Sequence, residues 1–112
     1  MKPRFEVIFL DQAIEFMAKL EPKSKKKVYY NIDKAKLTND PELFKKLEDK
    51  IWEFRTKYIG LQYRIFAFWD KTDKTKTLVL ATHGIIKKTG KVPKAEIEKA
   101  KKIMAEYFAQ KQ

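Results

Sequence analysis

Hydrophobic positions recur at two spacings along this chain, and the switches between them mark its elements. From Arg4 to Leu10, Phe5, Val7 and Phe9 alternate with Glu6 and Ile8, which predicts a first strand. Asp11 follows as an N-cap, with Glu15 near the first turn of a short helix. Ile14, Met17, Ala18 and Leu20 fall on one face of that helix, and Glu21-Pro22 breaks it. Pro22 suits the first turn of a second helix, where its missing N–H costs nothing. This second helix should cover Lys23 to Leu37, with Val28, Ile32 and Ala35 recurring at i, i+4 and i+7 and Tyr29 alongside. Lys23, Lys25, Lys26, Lys27, Lys34 and Lys36 occupy the rest of its surface, and Asn39-Asp40-Pro41 stops it. The two helices read as a hairpin with one apolar stripe and one basic face.

After a short turn at Glu42 to Leu47 the period changes to two. In Ile51 to Tyr58, Trp52 and Phe54 share one face, while Ile51, Glu53, Arg55 and Lys57 share the other. Gly60 marks a turn. Leu61 to Asp70 continues as a strand with Tyr63, Ile65 and Ala67 on one face and Arg64, Phe66 and Phe68 on the other. Asp70 to Thr75 is a polar hairpin loop. Thr77 to Ile85 is apolar on both faces, as expected of a central strand. Gly84 and Gly90 bracket a basic stretch, and Pro93 opens a last helix from Lys94 to Ala109 with Ile97, Ala100, Met104 and Phe108 as its core stripe. The expected order is β-α-α-β-β-β-α: an α+β fold with a helical hairpin and a C-terminal helix packed on a mainly antiparallel sheet. No linker or repeat interrupts it, so residues 1–112 are read as a single domain.

Composition narrows the chemistry. With 44% hydrophobic residues the chain has the apolar material for a core. It lacks cysteine, which excludes disulfides, thiolate metal sites and a Cys nucleophile, and its one histidine argues against a His-rich metal centre. No apolar run is long enough to span a bilayer, and the first residues enter a strand pattern rather than a signal peptide; the expected location is the cytoplasm. The net charge of +11 points to a polyanionic partner, nucleic acid first, then an anionic membrane surface or an acidic protein. A lysine-rich solubility adaptation is the plain alternative. Only Arg4, Arg55 and Arg64 are arginines, so the position of each is informative.

The strongest constellation lies on residues 51–69. With two or four residues in the loop at Gly60, paired positions sum to 119, so that Trp52 faces Ala67, Phe54 faces Ile65, and Arg55 faces Arg64. Like charges directly across a strand pair repel. The pair is explained if both arginines hold an anion, or if they make ordinary surface salt bridges to Glu53 and Glu48. A second candidate is the segment THGIIKKTGK, residues 82–91, with the sole histidine, His83, at the end of a central strand. There it would serve as a general acid or base, or as a packing residue. Phe66 and Phe68 beside Arg64 would stack on a base or form core beneath the last helix. Phosphate loops, zinc spacings and nucleophile elbows are absent from the sequence.

Three stretches together carry a family resemblance: KKLEDKIWEFR from Lys45, LQYRIFAF from Leu61, and LVLATHGIIKKTGKVPKAEIEKAKKI from Leu78. The pattern of Leu47 before Glu53 and Arg55, then Tyr63-Arg64, then Lys87-Lys88-Thr89 with Lys91 and Pro93, then Glu96-Ile97 and Ala100, resembles the phage-derived, HigB-like branch of the RelE/ParE toxin superfamily. That resemblance implies the toxin of a type II toxin–antitoxin pair, a ribosome-dependent endoribonuclease that cuts mRNA without a metal or other cofactor. The RNA 2′-OH would attack the adjacent phosphate and the 5′-oxygen would leave. Arg64 matches the family's strand arginine and is the first choice for the phosphate clamp, with Arg55 second. His83 or Glu53 would move protons, with His83 favoured by its reference pKa. Lys87, Lys88, Lys91 and Lys50 are the candidates for holding phosphate or RNA backbone. The implied partners are an antitoxin, often a helix-turn-helix protein, together with the ribosome and mRNA. ParE-type relatives share the fold but poison DNA gyrase, so a gyrase inhibitor and a non-catalytic nucleic-acid-binding domain remain open.

Overall fold

The computed structural model describes residues 2–73, 77–88 and 90–111. Lys74 and Thr75 of the expected polar loop, and Thr89 of the basic stretch, lie outside the described residues. The elements are β1 (Glu6–Phe9), α1 (Asp11–Ala18), α2 (Pro22–Leu37), β2 (Phe44–Glu48), β3 (Ile51–Tyr58), β4 (Leu61–Asp70), β5 (Leu78–Lys87) and α3 (Lys94–Gln110). The strands form one sheet in the order β1-β5-β4-β3-β2. β1 runs parallel to β5, and every other pair is antiparallel.

The period-two pattern decides what each face of this sheet meets. Phe54, Tyr63, Ile65, Ala67, Val79 and Ala81 face one way and pack with Ala13, Met17, Val28, Ile32 and Ala35 of α1 and α2. Ile51, Phe66, Phe68 and Leu80 face the other way and pack with Ile97 and Ala100 of α3. Phe66 and Phe68 are fully buried, each contributing about 1.5–3 kcal/mol of burial. They are core beneath the last helix. Both faces of β4 and β5 are thus covered, as their continuous apolar runs require.

Several local expectations are corrected. The segment read as a short turn at Glu42 to Leu47 contains the edge strand β2, so the order is β-α-α-β-β-β-β-α. Its period is masked because Lys45 and Lys46 are both exposed, while Phe44 is buried and stacks on Phe54 at 4.3 Å. Exposed lysines on an edge strand also discourage further pairing. β1 is shorter than Arg4 to Leu10 because Arg4 is used elsewhere. Its Nη2 donates to the carbonyls of Ala35 (2.7 Å) and Thr38 (2.8 Å), closing the C-terminal end of α2. Asp11 is the first residue of α1 rather than its cap; Leu10 takes that position with no side-chain bond. Ile14 is exposed, and the buried face of α1 is carried by Ala13 and Met17. Phe16 of α1 lies against Gly84 of β5 so closely that a Cβ there would fall 2.4 Å from its ring, so this central strand must carry glycine at that point.

Two anchors close the fold. Asp70, buried at the end of β4, accepts hydrogen bonds from Tyr107 (2.6 Å) and Lys111 (2.8 Å) of the C-terminal segment and from Thr72. Burial pushes this carboxyl up, but the bonds from Lys111, Tyr107 and Thr72 outweigh it and hold it well below the ordinary range. The β3–β4 hairpin turns through Ile59 and Gly60, both with positive φ (47° and 74°). That is the pattern of primed hairpin turns, and Ile59, a β-branched residue 80% exposed, is poorly suited to it. Among the described residues no helix is long and apolar enough to cross a membrane.

Two predictions follow from these anchors. Ile59→Asn should relieve about 1 kcal/mol of left-handed strain and raise the melting temperature by about 4 °C, read by thermal circular dichroism. The Asp70 contribution is complete above the unfolded pKa of about 4 and is lost as the pH falls below it. Asp70→Asn should therefore lower the melting temperature by several degrees at pH 7, with the gap from wild type narrowing in acid. A gap independent of pH would refute the assignment.

Candidate functional site

The two-residue turn fixes the register of the hairpin. Trp52 pairs with Ala67, Phe54 with Ile65, and Arg55 with Arg64. The alternation that sends Trp52 and Phe54 into the core therefore sends Glu53, Arg55 and Arg64 to the opposite face. There they lie on the part of the sheet nearest the Gly60 turn. Gln62 and Lys87 join the same face from β4 and β5, and Lys45 joins it from β2.

Glu53 stands between the two guanidinium groups. Its Oε1 lies 3.2 Å from Arg64 Nε and its Oε2 lies 3.7 Å from Arg55 Nε. The alternative of surface salt bridges to Glu53 and Glu48 is half met. Glu53 is the shared partner but is only 2% exposed, and Glu48 binds Lys101 instead. Arg55 reaches outward to Glu42 at 3.9 Å and to the Pro41 carbonyl at 3.4 Å. Arg64 Nη2 donates to Gln62 Oε1.

The cluster is rich in cations and poor in acceptors. Burial pushes the Glu53 carboxyl up against the opposing pull of Arg64, Arg55, Lys45 and Lys87. Burial and the neighbouring arginines push Lys87 down. Burial likewise lowers Arg64, opposed by Glu53, though a guanidinium stays charged at any physiological pH. Among the described residues Arg64 Nη1 is buried without a hydrogen-bond acceptor, while Arg64 Nε and Arg55 Nε face the Glu53 carboxylate as ion pairs without completing a hydrogen bond, and Glu53 Oε1 likewise receives none. Buried guanidinium donors are ordinarily paired, and leaving them unpaired is costly. Three buried N–H groups around one shared carboxylate form a ready receptor for an oxyanion such as phosphate.

The other candidates are distributed as follows. Lys87 lies at the cluster and donates to the Gly90 carbonyl. Lys88 and Lys91 are exposed just beyond it. Lys50 sits at the far end of β3, in the turn from β2, away from the arginines. His83 shares the arginine face but lies deeper, next to α3. Its ring stacks on Phe66 at 4.8 Å, Nε2 contacts Glu96 at 3.0 Å, and Nδ1 contacts Thr82 Oγ at 3.0 Å. Both ring nitrogens are therefore engaged within the fold. Burial lowers its pKa, only partly offset by Glu96. Sequence reasoning missed Lys45 and Gln62. Reading KKL as strand would have placed Lys45 opposite Glu53, and the 119 register already placed Gln62 two residues from Arg64 on the same face.

The match to known families now has a structure to attach to. The family model described as Phage derived protein Gp49-like (DUF891) matches residues 15–105. The chain belongs to this Gp49-like family. It is a RelE-like toxin family, and an antitoxin is the partner it implies. The matched span runs from α1 into α3 and contains the whole arginine face. No curated protein matches the chain. The Gp49-like assignment accords with the observed architecture, three helices on a five-stranded, mostly antiparallel sheet. Among the described residues no group of three or more His, Cys, Asp or Glu side chains is placed to hold a metal ion.

His83 offers a direct check of this geometry. Its resonances in a proton NMR titration should report a pKa below the ordinary 6.5. The unfolded chain then takes up this proton first. The His83 contribution to stability is complete above about pH 6.5 and declines as the pH falls. A midpoint above 6.5 would contradict the buried, neutral ring.

Proposed function

We propose that this Gp49-like protein is the toxin of a type II toxin–antitoxin pair, of the HigB-like branch, and that it cuts mRNA on the ribosome. The observation that carries the reading is the in-register Arg55–Arg64 pair, which shares the single Glu53 carboxylate and leaves Arg64 Nη1 buried without an acceptor. Two arginines that share one carboxylate keep a net positive charge, which a bridging oxyanion would balance.

In this reading the scissile phosphate sits over the pair. Attack of the RNA 2′-OH on phosphorus places extra negative charge on the non-bridging oxygens, and the 5′-oxygen departs with a proton. Arg64 is the clamp on that charge, held by Gln62 on one side and by Glu53 on the other. Arg55, less buried, completes it from β3. Lys87 adds positive charge beside them, and Lys88 and Lys91 follow the backbone outward. Of the two proton carriers considered, Glu53 is the one at the arginines. Its raised pKa brings it closer to the range useful for proton transfer. His83, committed to Thr82 and Glu96, is better read as a buried structural residue.

The test is purified protein in a cell-free translation reaction, with mRNA 5′ ends mapped by primer extension. Cuts should appear only with ribosomes. Arg64→Ala should lower their rate by roughly 100-fold or more. Arg64→Lys, which keeps the charge but loses the fork, should also be impaired, guarding against loss of fold in the alanine variant. Full cutting by a folded Arg64→Ala protein would remove Arg64 from the site. Intact mRNA together with trapped gyrase cleavage complexes would transfer the protein to the gyrase-poisoning class. Intact mRNA with salt-sensitive RNA binding alone would leave a non-catalytic binding domain.

A further inference from the structure

One cavity lies away from the arginine pair. It is a groove of about 700 Å³ at the end of the sheet where β2 turns into β3. Trp52, Trp69 and Phe108 line it, and Lys46, Lys50 and Lys71 stand around them. Trp52 and Trp69 meet edge to face, with centroids 5.7 Å apart, and they are the only tryptophans in the chain. The Lys71 ammonium lies 5.1 Å from the Trp69 ring centre. The one acid of the lining, Asp49, is tied to Lys101 at 2.9 Å.

Indole faces surrounded by ammonium groups suit a single nucleic-acid strand, whose bases stack while its phosphates meet the lysines. The topology links this groove to the arginines. β2 is an edge strand, paired only with β3. Its consecutive lysines point to opposite faces: Lys45 pairs with Glu53 on the arginine face, and Lys46 pairs with Trp52 on the groove face. Positive charge therefore runs from Lys87, Arg64 and Arg55 across the open edge of β2 to Lys46 and Lys50. Trp52 and Arg55 are three residues apart on β3 and project to opposite faces, so a strand that touches both passes around the β2 edge.

We propose that the Trp52–Trp69 groove is a second RNA subsite, stacking a base of the same strand whose phosphate lies at Arg55 and Arg64. The proposal rests on the RNA reading above, and it goes beyond it by adding a site at the end of the sheet away from the Gly60 turn. It also gives Lys50 a role that its distance from the arginines denies it there.

Both tryptophans line this groove, so their fluorescence reports on it. The full chain would be titrated at low salt with a seven-nucleotide oligouridylate. Tryptophan emission and the anisotropy of a 5′-labelled copy would be followed in parallel. Emission should quench with the same midpoint as the anisotropy. Lys50→Ala with Lys71→Ala, both exposed positions, should weaken binding and reduce the quench. Trp52→Leu should weaken it roughly tenfold, with circular dichroism confirming the fold. Anisotropy that rises while emission stays unchanged, with the double lysine variant binding as wild type, would overturn the groove and leave the RNA reading standing. No response in either signal would count against both. Quenching by an acidic peptide but not by RNA would make the groove a protein-docking face and overturn the subsite.

Discussion

Everything on the functional face depends on the register of one hairpin. The Ile59–Gly60 turn holds Tyr58 opposite Leu61, and each pair beyond it follows by twos. Phe54 and Ile65 then meet in the core beneath α1 and α2, while Arg55 and Arg64 meet on the opposite face. A slip of one residue would send the arginines into the apolar layer and the aromatic residues out. Burial on the helical-hairpin side thus enforces an arrangement that is unfavourable on the other side. The repulsion between the arginines is maintained by the packing of Trp52, Phe54, Ile65 and Ala67.

The second face is divided between core and chemistry by the reach of α3. Ile97 and Ala100 cover Ile51, Phe66, Phe68 and Leu80, and Asp70 fastens the far end of the helix through Tyr107 and Lys111. Toward the Gly60 turn the same face changes from apolar to charged, with Glu53, Arg55, Arg64, Gln62 and Lys87 in place of leucine and phenylalanine. A fold optimised only for stability would cover these positions with apolar side chains. Instead it buries a carboxylate whose ionised form is disfavoured and a guanidinium N–H group, Arg64 Nη1, without an acceptor. In the proposed reading a bound phosphate supplies the partner that Arg64 Nη1 lacks.

How much of this was legible in the sequence follows from how local each cause is. The β3 and β4 pattern, the Gly60 turn and the Arg55–Arg64 pairing were legible because strand period and turn length are local signals. β2 was not, because two exposed lysines on an edge strand look like a loop until Phe44 is seen stacked on Phe54. Arg4 was likewise misread as strand, since its role in closing α2 depends on a residue 31 positions away. His83 illustrates the same limit for the site. Its contacts with Thr82, Glu96 and Phe66 are set by the packing of α3, which no short motif encodes.

The scarcity of arginine in a chain so rich in lysine then acquires a physical meaning. Lysine suffices wherever a hydrated point charge is enough, as on the α2 surface and the β2 edge. Arg4 is used for its fork, which bonds two carbonyls at a helix end. Arg55 and Arg64 stand where burial would strip an ammonium of its hydration and where several donors must be presented from fixed positions. A guanidinium keeps its charge there, whereas burial and the arginines push the Lys87 ammonium down from its ordinary pKa. In the proposed RNA reading, the diffuse lysine field and the two fixed forks would divide two tasks on one polyanion: long-range attraction along the strand and geometric hold on a single phosphate.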